Sequence, residues 1–167
     1  PNRSNPKYWD KHHYRWLKSG EVANNIIFDT EEYISREGLK GSSAKIIPSG
    51  TVVMAMYGAT ASQVTYLDCD TTTNQACCNM LTATFEEAAY LYFHCLYQQE
   101  NIKRLANGGA QENLSQELIC AQPILICENT HIYDVFSKLL SAKIAFSKEN
   151  YCCGILLKNL LSNIVII

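Results

Sequence analysis

Lys45-Ile46-Ile47-Pro48-Ser49-Gly50-Thr51-Val52-Val53-Met54-Ala55-Met56 is the stretch on which the fold turns. The Ser49-Gly50 turn between two β-prone arms predicts a hairpin. Its second arm is apolar without interruption, so it should be buried on both faces and needs cover above and below. Residues 63–67 and 75–82 read as further strands, joined by an acidic turn at Asp68 and Asp70 and a connection over 71–74. Thr84 with Glu87 three positions on is a capping box, so a helix should begin at Phe85. Ala88, Leu91, Tyr92, Cys95, Leu96, Ile102 and Leu105 keep three-four spacing along it until Gly108-Gly109. Strands covered by a helix predict an α+β class with a twisted, mostly antiparallel or mixed sheet and flanking helices.

Working outward, residues 14–17 and 26–28 read as strands either side of Ser19-Gly20-Glu21. Thr30 is a predicted N-cap, with Glu31-Glu32 as the negative first turn of a helix that Gly38 should stop. Residues 40–43 form a loop, Ser115 caps a short turn, and residues 123–127 read as one more strand. After Ile132 the period changes: Ile132, Leu139, Phe146, Cys153, Leu160 and Ile167 recur every seventh position, with Val135, Ala142 and Leu156 between them. This predicts a globular unit over 1–130 and a long coiled-coil-type helix over 131–167, which needs another long helix to cover its stripe. Two shorter helices split at Gly154 are the alternative.

Fourteen Lys/Arg against sixteen Asp/Glu give a net charge of −2, so the chain as a whole lacks the basic footprint of a non-specific polyanion binder. The distribution is uneven. Residues 1–45 carry eight cations against six acids, and residues 46–100 carry none against five, so a polyanion site would draw on the N-terminal third. No run approaches a membrane span, no signal peptide opens the chain, and the start at Pro1 reads as part of a longer product. The eight cysteines show no Cys-x-x-Cys spacing and the four histidines no His-x-x-x-His, so free thiols in a reducing cytosol, without metal, are expected. His94, beside the helical stripe, reads as a packed or surface residue. Glu-x-Lys, Gly-x-Gly and the phosphate-binding Gly-x-x-x-x-Gly-Lys are absent, which speaks against nuclease, methyltransferase and nucleotide hydrolase chemistry on this chain.

Asn5-Pro6-Lys7-Tyr8-Trp9, then Trp16-Leu17-Lys18-Ser19-Gly20-Glu21-Val22, then Ala55-Met56-Tyr57-Gly58-Ala59-Thr60, then Thr72-Thr73-Asn74-Gln75-Ala76-Cys77-Cys78 stand in a distinctive order. Together with Leu105-Ala106-Asn107-Gly108-Gly109-Ala110-Gln111 and Asn113-Leu114, they resemble the target recognition domain of the specificity (S) subunit of type I restriction-modification enzymes. The resemblance covers about residues 3–126. It implies a non-catalytic component, acting in the prokaryotic cytoplasm, that reads one half of a bipartite target in double-stranded DNA. Methyltransferase (M) subunits would dock on it and a restriction (R) subunit would join the assembly. The chain itself would hold no cofactor, with S-adenosylmethionine and Mg on the partner subunits. It also implies that the helix after Ile132 pairs with another helix. Three departures stand out: only four residues precede Asn5, Ala61-Ser62-Gln63 replaces the family's frequent Gly-Lys, and Glu128-Asn129-Thr130-His131 replaces a Pro-rich run. They point to a fragment or half-size subunit.

Under this reading, Arg3, Lys7, Lys11, Arg15, Lys18, Lys40 and Lys45 are candidates for phosphate contact. Ser19, Glu21, Asn24, Ser42, Ser43, Thr60, Ser62 and Gln63 carry groups that match base-edge donors and acceptors. Asn74-Gln75 is a weaker candidate, and Trp9 and Trp16 should be core. Ile132, Leu139, Phe146, Cys153, Leu160 and Ile167 form the expected helix interface, with self-pairing of two chains as the simplest closed solution. Two other classes remain: an interaction protein that uses its exposed helix after losing DNA binding, and a thiol enzyme pairing Cys77 or Cys78 with His94.

Overall fold

The computed structural model describes residues 1–106 and 113–164, apart from the side chains of residues 10–12. The expected helix stop at Gly108-Gly109, the side chain of Lys11, and Ile167 lie outside the described residues. Among the described residues, eight strands form two four-stranded mixed sheets. The first has the order β3 (Glu32–Ile34), β1 (Trp9–Leu17), β7 (Thr71–Thr73), β4 (Ile46–Ile47), and the second β2 (Asn25–Ile27), β6 (Val64–Leu67), β5 (Val52–Ala55), β8 (Cys77–Met80). The described residues also form α-helices α1 (Arg36–Lys40), α2 (Phe85–Leu105), α3 (Gln116–Cys120) and α4 (His131–Ile164).

β5 is buried along its whole length because the second sheet is the middle layer. Val53 and Ala55 pack with Leu17, Ile27, Leu67 and Cys77 against the first sheet. Val52 and Met54, one residue out of phase, pack with Val64, Tyr66 and Cys78 against Ala88, Tyr92 and Cys95 of α2. The predicted hairpin does not form. Ile46–Ile47 pairs antiparallel with β7, and Val52–Ala55 pairs with β6 and β8, so Pro48–Thr51 carries the chain from one sheet to the other. The 71–74 connection is likewise a strand: Thr71 and Thr72 are buried, and Thr72 Oγ1 donates to the carbonyl of Arg15.

The helix predicted after Thr30 is also displaced. Thr30 Oγ1 accepts from the Trp16 amide and donates to the Glu32 carbonyl, which turns the chain into β3 against β1. Ser35 is the actual N-cap, its Oγ accepting from the Gly38 amide, and Gly38 sits inside α1. A Cβ at Gly38 would stand 2.5 Å from the Tyr8 carbonyl oxygen, so glycine is there for close approach of two backbones rather than as a stop signal.

α2 begins where the capping box predicts, with the Glu87 amide on Thr84 Oγ1 and the Glu87 carboxylate on the Ala83 amide. It also supplies the long helix against which the first half of α4 packs. α4 lies on α2 through Leu140, which is fully buried, with Phe136 and Ile144 packed beside it. Tyr90 lies 5.0 Å from the Tyr133 ring and 5.4 Å from that of Phe136, and Tyr151 reaches Phe28. The heptad positions point elsewhere: Leu139, Phe146 and Leu160 are 50%, 66% and 61% exposed. The helix is unbroken at Gly154. Past Tyr151 it leaves the body for about 20 Å at 1.5 Å per residue. Residues 123–127 form no strand, and Ile124, Leu125 and Ile126 lie exposed.

Candidate nucleic-acid interface

The N-terminal cations divide into two groups. Arg3 stacks 3.8 Å over the Trp9 ring and pairs with Glu32. Lys18 Nζ reaches Glu31 at 2.7 Å and Glu32 at 3.3 Å, and Arg15 Nε reaches Asp29 at 3.0 Å. The hydrogen bond that Lys18 donates to the Glu31 carboxylate holds its ammonium above the usual range. Burial works to raise the Glu32 carboxyl, but the donors on Arg3 and Lys18 prevail and hold it below its ordinary value. These three cations are largely neutralised. Lys7, Lys40 and Lys45 are exposed and, among the described residues, have no ion pair. Lys7 and Lys40 bracket α1, whose N-cap Ser35 Oγ donates to the Lys7 carbonyl, and Lys45 follows in the next loop.

That loop borders a polar cleft of about 370 Å³ at the β4 edge of the first sheet. Ser43 and Lys45 line it together with Asn74, Gln75, Asn79 and Gln116. Asn74 Oδ1 is occupied by the Ala76 amide and the Cys77 thiol, and Asn79 Nδ2 donates to Thr73 Oγ1. Gln75 is exposed and its amide has no hydrogen-bond partner among the described residues. Asn79 and Gln116 were not singled out from sequence. They stand far apart along the chain, and no local pattern signals that they meet.

Other expected base readers are used to build the loops. Glu21 accepts from the amides of Lys18 at 3.1 Å and Glu31 at 2.9 Å, so its carboxylate closes the turn over Ser19–Glu21. Asn24 adopts φ +56°, accepts from the Val64 amide, donates to Gln99 and receives the Tyr92 hydroxyl on its carbonyl. Thr60 Oγ1 donates to the Ser19 carbonyl at 2.8 Å, joining two loops. Ser42 Oγ donates to the Gly38 carbonyl. Ser62 is fully buried at φ +71°, and its hydroxyl reaches neither solvent nor a partner among the described residues, which corrects its assignment as a surface reader. Gln63 is half-buried. Trp16 is core, whereas Trp9 is half-buried under Arg3, with an edge-on contact between them.

The buried thiols Cys77, Cys78 and Cys95 are structural in placement. Burial pushes Cys77 up to about 12, Cys78 to about 11 and Cys95 to about 12, the opposite of nucleophile activation. Among the described residues, no group of three or more His, Cys, Asp or Glu could hold a metal ion, and no helix is long and apolar enough to cross a membrane.

Among the solved structures that share the fold are two from type I restriction-modification systems. The type I restriction-modification system S subunit from M. genitalium superposes with TM-score 0.65 at 12% identity over 96% of this chain and 40% of that one. A structure described as the basis of complex assembly and conformational transition of the type I R-M system gives TM-score 0.58 at 10% identity over 93% and 38%. The chain thus spans about two fifths of the length of either relative. The sequence profile of the type I restriction modification DNA specificity domain matches residues 1–151. With nine tenths of its length matched, the chain belongs to the type I restriction modification DNA specificity domain family.

Proposed function

We propose that this chain is the non-catalytic, DNA-reading component of a type I restriction-modification assembly in the prokaryotic cytoplasm, recognising one half of a bipartite duplex target. It directs methyltransferase subunits to that target, and a restriction subunit through them, with S-adenosylmethionine and Mg held by those partners. The observation that carries this reading is the pairing of an amide-lined cleft with a set of un-neutralised lysines in a chain of this family. Lys7, Lys40 and Lys45 hold phosphates and fix register, while Gln75, Ser43 and Gln63 meet base edges. The second half-site is supplied by a second copy, paired antiparallel through half-buried Ile132 and the exposed Leu139, Phe146, Cys153 and Leu160 on α4.

The test is reconstitution of the full chain with methyltransferase subunits, followed by methylation mapping. A bipartite symmetric motif is expected, and Gln75→Ala should relax one position of it by roughly 1–3 kcal/mol of discrimination. Loss of DNA binding with partner binding retained would favour the interaction protein instead. For the pairing, Leu139→Asp with Leu160→Asp should convert a dimer to monomer, and a wild-type chain that stays monomeric at high concentration in light scattering refutes it.

A further inference from the structure

A groove of about 520 Å³ opens between the N-termini of α2 and α4. Its floor is Tyr90, Leu91 and Tyr133, and Ile124 and Ile126 form one wall. The floor is held by ring packing, with Tyr90 lying between Tyr133 and Phe136. The wall belongs to the 123–127 segment, where Leu125 and Ile126 are 77% and 85% exposed. Two hydrogen bonds pin that segment, from Tyr90 OH to the Leu125 carbonyl and from the Cys127 amide to Tyr133 OH. Its apolar side chains are therefore presented outward on an anchored backbone.

The rim has one sign. Glu86, Glu87 and Asp134 line the groove and no Lys or Arg does. Two helix N-termini contribute roughly half a positive charge each, which three carboxylates outweigh. Among the described residues the His131 imidazole, at 3.7 Å, is the group within ion-pairing distance of Asp134. On the α2 side the sequence adds no cation, because residues 46–100 contain no Lys or Arg, and on the α4 side Lys138, one turn beyond Asp134, is not part of the groove lining. A phosphate backbone is repelled by such a rim, so this face is separate in kind from the lysine-bordered cleft.

We infer that this groove docks a basic amphipathic helix of a partner protein, its apolar face on Tyr90, Leu91, Tyr133 and Ile126 and its Lys or Arg side chains on Glu86 and Asp134. Apolar residues at helical spacing match a groove of this shape, and cations on the flanks match its rim. The inference stands independently of the DNA-reading role.

The probe is a fluorescein-labelled helical peptide made only of Leu and Lys, with Leu on one face, titrated by anisotropy against the full chain. A scrambled peptide of the same composition controls for charge. The designed peptide should bind, and the scramble should not. Glu86→Lys with Asp134→Lys, and separately Ile126→Asn, should each weaken binding at least about tenfold. Glu100→Lys with Glu149→Lys makes the same charge change at exposed sites outside the groove and should leave binding unchanged. Equal losses in both double variants, or equal binding of the scramble, would overturn the inference in favour of net-charge attraction. If the Glu86/Asp134 reversal instead dissolves a wild-type dimer without affecting the peptide, a second copy is the occupant and the inference fails. Melting temperatures of all variants separate unfolding from lost contact, and Ile126→Asn, at an exposed residue, keeps the test available if a charge reversal unfolds.

Discussion

Replacing Lys7, Lys40 and Lys45 together by Ala removes three exposed cations that no carboxylate neutralises among the described residues. If each meets a phosphate, the slope of log affinity against log salt flattens by about 0.9 per contact, or about 2.7 in all. Between roughly 50 and 200 mM salt, wild-type affinity should therefore fall about 40-fold more than that of the triple variant. Lys18→Ala is the matched control. Its ammonium already lies 2.7 and 3.3 Å from Glu31 and Glu32, so its removal should change the slope by less than about one contact. The assay is anisotropy of a labelled duplex with the methyltransferase-bound assembly, run on target and unrelated DNA, because phosphate contacts weaken both alike. All three lysines are exposed, so stability should move by no more than about 0.5 kcal/mol. An unchanged slope in the triple variant would falsify the assignment, and an equal flattening from Lys18→Ala alone would show that ion pairing does not sort these cations.

Other consequences follow from the same geometry. Glu21→Ala strips acceptors from two backbone amides and should cost about 2 kcal/mol, read as a lower melting temperature with an unaltered methylation motif. Gly38→Ala places a Cβ 2.5 Å from the Tyr8 carbonyl and should destabilise by about 1–3 kcal/mol, which a denaturant midpoint would show. At mildly alkaline pH a thiol reagent should label Cys120 and Cys152 quickly and reach Cys77, Cys78 and Cys95 only on unfolding; rapid reaction of the buried three would contradict their placement. Because Glu32 is held below its ordinary 4.5, its pairing stabilises the fold above that value and is lost as pH falls through the lower folded value. Glu32→Gln should accordingly flatten the acid side of the stability profile in that window, and an unchanged acid limb would show that the pair contributes nothing.

Local chemistry was legible wherever a short pattern has a single physical outcome. The Thr84/Glu87 box placed the start of α2, the apolar 52–55 run required cover on both faces, and the apolar period after Ile132 favoured the one continuous helix found over two split at Gly154. The ordered motifs from Asn5 to Cys78 were enough to point to the family. Partner choice was not legible, because it depends on which segments meet across long chain separations. Ser49-Gly50 carries an ordinary turn signal, yet pairing of Ile46–Ile47 with Thr71–Thr73 sends the arms to different sheets. Gly38 reads as a helix stop until Tyr8 arrives against it, and Glu21 and Asn24 read as free polar groups until amides from residues 31 and 64 claim their oxygens. Helix periodicity likewise establishes that α4 has apolar faces, but the position of α2 selects Leu140 for burial and leaves Leu139 half-exposed. Sequence by itself determined the start of α2, the doubly buried β5, the long helix α4 and the charge available in the N-terminal third. Tertiary structure alone decided which lysines keep that charge, since neutralisation depends on carboxylates within a few ångströms in space rather than a few residues along the chain.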